Sequence, residues 1–160
     1  MGMGCTDPQM QAWRALAATH AALSDRIQKA LGAADLPPLS WCELLWAIKR
    51  TPSGRPRMSD LAATLTLSRG GVTKLVDRLE EAGYLARVFC PEDRRSLQAE
   101  LTPAGERILG EMREVYEQEV ARHLGALDAA EADAISASLT KVAQSACRAE
   151  GHTSEPAVAG

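Results

Sequence analysis

The chain is poor in aromatic residues: one Phe, two Tyr and three Trp make up 4% of its 160 residues. Strands favour β-branched and aromatic side chains, so this shortage argues against an all-β sandwich. No apolar run approaches the roughly 20 residues that a helix needs to cross a bilayer. The first ten residues hold no apolar stretch of the kind a secretory signal requires. The expected compartment is therefore the cytoplasm, with no membrane partner. The start Met1-Gly2-Met3-Gly4-Cys5-Thr6 fits the N-myristoylation pattern, but no polybasic second signal follows, and the match is read as coincidence. The cysteines stand at 5, 42, 90 and 147 with no Cys-x-x-Cys pair, and the histidines at 20, 123 and 152 form no His-x-x-x-His pair. Neither a structural metal nor a cofactor is expected. A Ser-His-Asp setting and a glycine loop after a strand are also missing, so the sequence does not read as an enzyme.

What is abundant is alanine, with 28 residues, and alanine is the best helix former. Hydrophobic residues at 46% and charged residues at 24% are a globular composition, and the length suits one compact domain with an appended dimerisation element. The net charge of −3 is unevenly spread. From Lys49 to Arg95 there are ten Lys/Arg against six Asp/Glu, a local +4, while the remainder carries −7. A basic middle between acidic flanks suggests one face for a polyanion.

Asp7-Pro8 reads as a helix start, with Asp7 as cap and Pro8 at the first position, and Gly32 as the stop. Trp13, Leu16, His20, Leu23, Ile27 and Ala30 step 3, 4, 3, 4, 3 along it, a heptad-like seam that asks for a partner helix. After Pro37-Pro38, Ser40 and Glu43 fit a capping box, with Leu39 and Leu44 as its staple, for a helix to about Lys49. Arg55 to Met58 suits a very short strand. Ser59 is placed to cap a helix over 60–65, and Ser68 a helix from Arg69 to Ala82 that Gly83 ends. Two short helices with a tight turn make a helix-turn-helix. Strand-like 84–90, a charged tip and the alternating 97–101 then make a hairpin. Thr102-Pro103 opens a helix to about His123, and Asp128 caps a last helix whose apolar residues Ile135, Leu139, Val142, Ala146 and Ala149 step 4, 3, 4, 3. Residues 151–160 read as a flexible tail.

The fold class expected is thus mainly α with a small β-hairpin wing: a winged helix-turn-helix plus terminal dimerisation helices. The segment LSRGGVTKLVDRLEEAGYLARVFCPEDRRSLQAELTPAGERIL, from Leu67 to Leu109, resembles the DNA-binding core of the MarR family of bacterial transcriptional regulators. The recognition-helix run VTKLVDRLEEAGYL, the tip EDRR and the junction LTPAGERIL carry the resemblance. It implies one unit over 1–150, with dimerisation helices at 8–33 and 103–150 around a DNA-binding domain at 39–102.

On the recognition helix, Val72, Leu75, Val76 and Leu79 share one side and form the expected buried face. Ser68, Arg69, Thr73 and Lys74 are the candidates for base and nearby phosphate contacts, and Arg78 for a phosphate. Gly70-Gly71 breaks a local rule, since each glycine costs about 1 kcal/mol against alanine in a helix. Two in a first turn suggest close approach of a phosphate to the backbone. In the wing, the resemblance implies that Arg95 enters the minor groove, Asp93 orients it and Arg94 reaches a phosphate. It further implies a homodimer on a palindromic double-stranded DNA operator, acting as a ligand-responsive repressor. The effector would be small and aromatic or phenolic, with Trp13, Arg14, His20, Trp41 and Trp46 as candidate pocket residues. Two alternatives stay open: a thiol-based redox-sensing regulator of the same fold, using Cys90 beside Arg87, Arg94 and Arg95 or Cys42 in a helical first turn, and a winged-helix protein-interaction module.

Overall fold

The computed structural model describes residues 6–65, 69–89 and 97–149. Among them the element order is α1 (Asp7–Ala33), α2 (Leu39–Arg50), α3 (Met58–Thr64), α4 (Arg69–Glu81), β1 (Leu85–Phe89), β2 (Leu97–Leu101), α5 (Pro103–Leu124) and α6 (Ala129–Ala149). The expected mainly α fold with a two-stranded wing is what forms. None of these helices is long and apolar enough to cross a membrane. Residues up to Glu119 make one compact unit, and a second begins at Val120.

The core of the first unit is built from α2 and what surrounds it. Leu44, Leu45 and Ile48 are fully buried, together with Ile27 and Leu31 from the end of α1, Leu61 of α3, Val72, Val76 and Leu79 of α4, and Leu109 and Met112 of α5. Burying each such side chain contributes about 1.5–3 kcal/mol relative to leaving it in water. The rest of the α1 seam behaves differently. Leu23 and Ala30 are half-buried, whereas Trp13, Leu16 and His20 lie exposed in the single chain.

Several helix ends differ from the sequence reading. Thr6, not Asp7, caps α1: its Oγ1 accepts from Gln9 N while Gln9 Oε1 accepts from Thr6 N at 2.9 Å. A long side chain three residues on can reach back to the cap nitrogen, and Asp7 is left in the first turn, where the helix dipole favours an acid. Gly32 stays helical, and α1 ends one residue later. Asp35 takes the left-handed conformation (φ 56°) and Leu36 N closes on Leu31 O at 3.0 Å. Asp is among the few non-glycine residues that tolerate this. Ser40 caps nothing, because α2 already begins at Leu39. Gln28 of α1 supplies the missing acceptor, taking Leu39 N at 2.9 Å. Ser59 likewise lies inside α3, whose cap position is Arg57. Arg57 is held extended by a bridge to Gln98, and Ala99 N donates to Pro56 O at 3.1 Å. The short strand expected at 55–58 is therefore a single bridge onto β2, and the helix starts where that bridge ends.

The caps at Gly83, Thr102 and Asp128 form as read. Gly83 (φ 77°) ends α4 with Gly83 N on Glu80 O and Tyr84 N on Leu79 O, both at 2.9 Å. Thr102 Oγ1 accepts from Gly105 N, and Asp128 and Glu131 exchange hydrogen bonds in a capping box. Within the second unit, Ile135, Leu139 and Val142 on α6 are exposed.

Candidate DNA-binding interface

The recognition helix α4 has the two faces its spacing predicts. Val72, Leu75, Val76 and Leu79 are buried. Thr73, Lys74, Asp77 and Arg78 are exposed on the other side. Lys74 and Arg78 form no ion pair among the described residues. Of the other expected contacts, Ser68, Asp93, Arg94 and Arg95 lie outside the described residues, as does Cys90. Arg69 opens α4, and its side chain is likewise outside them.

Two acids share this helix with its bases, and their charge is taken up by the wing. The guanidinium of Arg87, on β1, binds Glu80 through Nη1 and Asp77 through Nη2, and Arg87 N donates to Glu80 Oε1 at 3.2 Å. Burial works to lower the Arg87 pKa, but the hydrogen bonds and charges of Asp77 and Glu80 outweigh it and hold the pKa above its ordinary value. Arg87 stays charged at any physiological pH, so Asp77 and Glu80 set up little repulsion toward a polyanion. Sequence reasoning placed Arg87 beside Cys90 and missed this clasp. A basic residue on a strand directly after a helix bearing acids three apart was the available signal.

The wing is fixed to the body at its base. β1 and β2 pair antiparallel from Leu85↔Leu101 to Phe89↔Leu97. Thr102 Oγ1 donates to Gly83 O at 2.6 Å, and Thr102 N to Tyr84 O at 3.1 Å. Gly105 is buried against the same peptide: a Cβ there would lie 2.0 Å from Tyr84 O. At Gly70, by contrast, an added Cβ meets no atom of the described residues within 4 Å. Packing within the chain does not require the glycine at Gly70 as it does at Gly105.

The candidate pocket residues fall into separate settings. Trp13 and Arg14 are exposed on α1. Trp41 meets Tyr84 edge-on, with ring centroids 6.0 Å apart. Trp46 lies under Arg113 of α5, whose guanidinium carbon is 4.1 Å from the ring centroid. His20 is close enough to Glu43 for its charge to lower the Glu43 pKa, against a larger upward push from desolvation. Desolvation also raises the Tyr116 pKa, with Cys42 and Glu43 adding to it. Trp46 and His20 thus border a group that includes Arg113, Tyr116 and Glu43, three residues the sequence reading did not single out. A separate open cavity of about 400 Å³ lies where Lys49, Arg55, Glu100 and Glu106 converge, and none of the candidate residues lines it. Its charges are already matched, Lys49 with Glu106 at 2.6 Å and Arg55 with Glu100 at 2.5 Å. Cys42 is buried, which pushes its thiol up to about 11, with Glu43 adding to the rise and Arg113 opposing it. That is the reverse of a reactive thiolate.

Comparison with known proteins agrees with this geometry. The MarR family profile matches residues 34–96. The HTH-type transcriptional regulator YkoM of Bacillus subtilis (strain 168) is 32% identical over 88 residues, which are 55% of this chain and 57% of YkoM. The chain spans about half the length of the curated relatives it matches. Among solved structures, AbsC, a MarR family transcriptional regulator from Streptomyces coelicolor, superposes with a TM-score of 0.78 at 26% identity, over 94% of this chain and 100% of AbsC. Sco3205, a MarR family regulator from the same organism solved in complex with DNA, gives 0.78 at 24% identity over 91% of each chain. The profile lies on the helix-turn-helix and wing and the AbsC likeness covers nearly the whole length, so the chain is similar to MarR family transcriptional regulators, in the sequence of residues 34–96 and in its winged-helix fold throughout.

Proposed function

We propose that this chain acts as a homodimer on a palindromic operator, as a repressor that a small aromatic or phenolic molecule releases. The observation that carries the DNA part is the exposed face of α4. Lys74 and Arg78 stand there without ion pairs among the described residues, while Arg87 occupies the two neighbouring acids. A helix of this kind lies in the major groove with its N-terminal residues toward the bases. Ser68, Arg69, Thr73 and Lys74 are assigned to that role, Arg78 to a phosphate, and Arg94 and Arg95 with Asp93 to the minor groove.

The homodimer rests on the exposed apolar residues of the terminal helices, Trp13 and Leu16 on α1 and Ile135, Leu139 and Val142 on α6. Apolar surface arranged at heptad-like spacing is stabilised when a second copy covers it. Effector response rests on the group around Trp46, Arg113, Tyr116 and His20, which combines ring faces with a cation suited to a phenolate or carboxylate. The thiol-sensing alternative gains nothing from Cys42, given its raised pKa.

The test is selection of bound duplexes from random sequence, followed by footprinting. The expected product is a two-fold symmetric site with half-sites about one helical turn apart. Lys74→Ala is expected to relax base preference within each half-site. Recovery of unselected sequence would remove the operator from this reading.

A further inference from the structure

Phe89 is the most exposed large apolar side chain among the described residues, at 69%, and it is the single Phe of the chain. Its cross-strand partner Leu97 is also exposed. Residues on one strand alternate faces, so Leu85, Arg87 and Phe89 share a side of the wing. Directly opposite, Leu101, Ala99 and Leu97 share it too. The inner part of that side is used: Leu85 and Ala99 are buried, and Arg87 grips α4. Phe89 and Leu97 continue the same side past the end of this packing, as the last pair before the segment that joins the two strands. The next residues in sequence lead to Arg94 and Arg95.

We propose that Phe89 and Leu97 form an apolar pad that packs on the deoxyribose wall of the operator's minor groove. The inference rests on DNA binding by α4 and the wing. Arg87, two residues before Phe89 on the same side, reaches Asp77 on the exposed face of α4, so the pad follows on from the face proposed to meet DNA. The sugars present C–H groups along the groove, and apolar side chains are recurrent minor-groove contacts. Such a contact removes apolar area from water and neutralises no phosphate. It therefore adds affinity without adding to the salt dependence, unlike an arginine. Because every nucleotide carries the same sugar, the pad strengthens binding to all sequences alike.

The experiment compares the full-length protein with Phe89→Ala, Phe89→Leu and Arg78→Ala, titrating selected operator and scrambled duplex at several salt concentrations. The exposure of Phe89 predicts wild-type melting and sedimentation for both Phe89 variants. Phe89→Ala is expected to lose about five- to thirty-fold in affinity on both duplexes, and Phe89→Leu to stay within about threefold of wild type. The log–log salt slope should be unchanged in both, while Arg78→Ala should flatten it. Unchanged affinity in Phe89→Ala, or a loss accompanied by a flatter slope, would overturn the pad. So would loss of the oligomer in Phe89→Ala, which would seat the ring in a protein interface. If wild type itself shows no salt-dependent binding, it is the DNA reading that fails, and the two failures are told apart by that control.

Discussion

A methyl group added at Gly105 would lie 2.0 Å from the Tyr84 carbonyl oxygen, a backbone atom that Thr102 N also holds in place. Neither partner can retreat without parting the wing from α5. Gly105→Ala should therefore cost about 2–3 kcal/mol, as overpacking in a rigid site does, seen as a lower denaturant midpoint at unchanged slope. Gly70→Ala has open space and should be neutral or slightly stabilising in the same assay. Sequence reasoning picked out Gly70-Gly71 and passed over Gly105, because a close approach is made by a residue distant in sequence. Cys42 shows the same thing for chemistry. A cysteine in a first helical turn is activated if it is exposed, whereas burial, with Glu43 adding to the effect, holds the Cys42 proton on. At pH 8, alkylation of Cys42 in the folded protein should run at least roughly a hundredfold below its rate in denaturant, followed by peptide mass spectrometry. Because the folded pKa is raised from 9.0 to about 11, the associated stability is complete below pH 9 and is lost as pH climbs through about 11. Fast modification at pH 8 would show that the thiol is open to solvent.

At the scale of elements, the recognition helix and the wing are one device. Arg87 joins them by gripping Asp77 and Glu80. Arg87→Ala should lower stability by only about 1 kcal/mol, since Asp77 and Glu80 are largely exposed and their pairing is screened. Its effect on DNA binding should be larger, because two carboxylates are then left uncompensated on the helix proposed to face DNA. The triple variant Arg87→Ala/Asp77→Ala/Glu80→Ala should recover much of the affinity that Arg87→Ala loses. If the triple variant bound no better, charge on α4 would not be what Arg87 controls. Apart from the short strand expected at 55–58, which is a single bridge, the order and type of the helices and strands were legible from periodicity and from Gly83, Thr102 and Asp128, where the cap is local. The starts of α2 and α3 were not. Gln28 caps α2 from another helix, and Arg57 is extended by a bridge to Gln98, and both partners are far along the chain.

For the whole molecule, the exposed apolar residues of α1 and α6 and the charged face of α4 make separate demands. The first asks for a second copy and the second for a polyanion. Leu16→Glu combined with Leu139→Glu should shift sedimentation toward monomer while leaving the fold of the first unit intact, because neither residue is in its core. A dimer as tight as wild type would place the interface elsewhere. The fold and the two faces of α4 were largely legible because both follow from local spacing. The setting of Trp46 was not, because Arg113 of α5, which lies over its ring, is far away in sequence. The central claim is that this is a DNA-binding regulator, and the salt dependence of operator affinity tests it most directly. Arg69, Lys74, Arg78, Arg94 and Arg95 give five basic residues per subunit and ten in a dimer. If roughly six to ten of them neutralise phosphates, log affinity falls with log salt at a slope of about −5 to −9, and operator is bound more tightly than scrambled duplex throughout. A flat salt response with equal binding of the two duplexes would contradict the account.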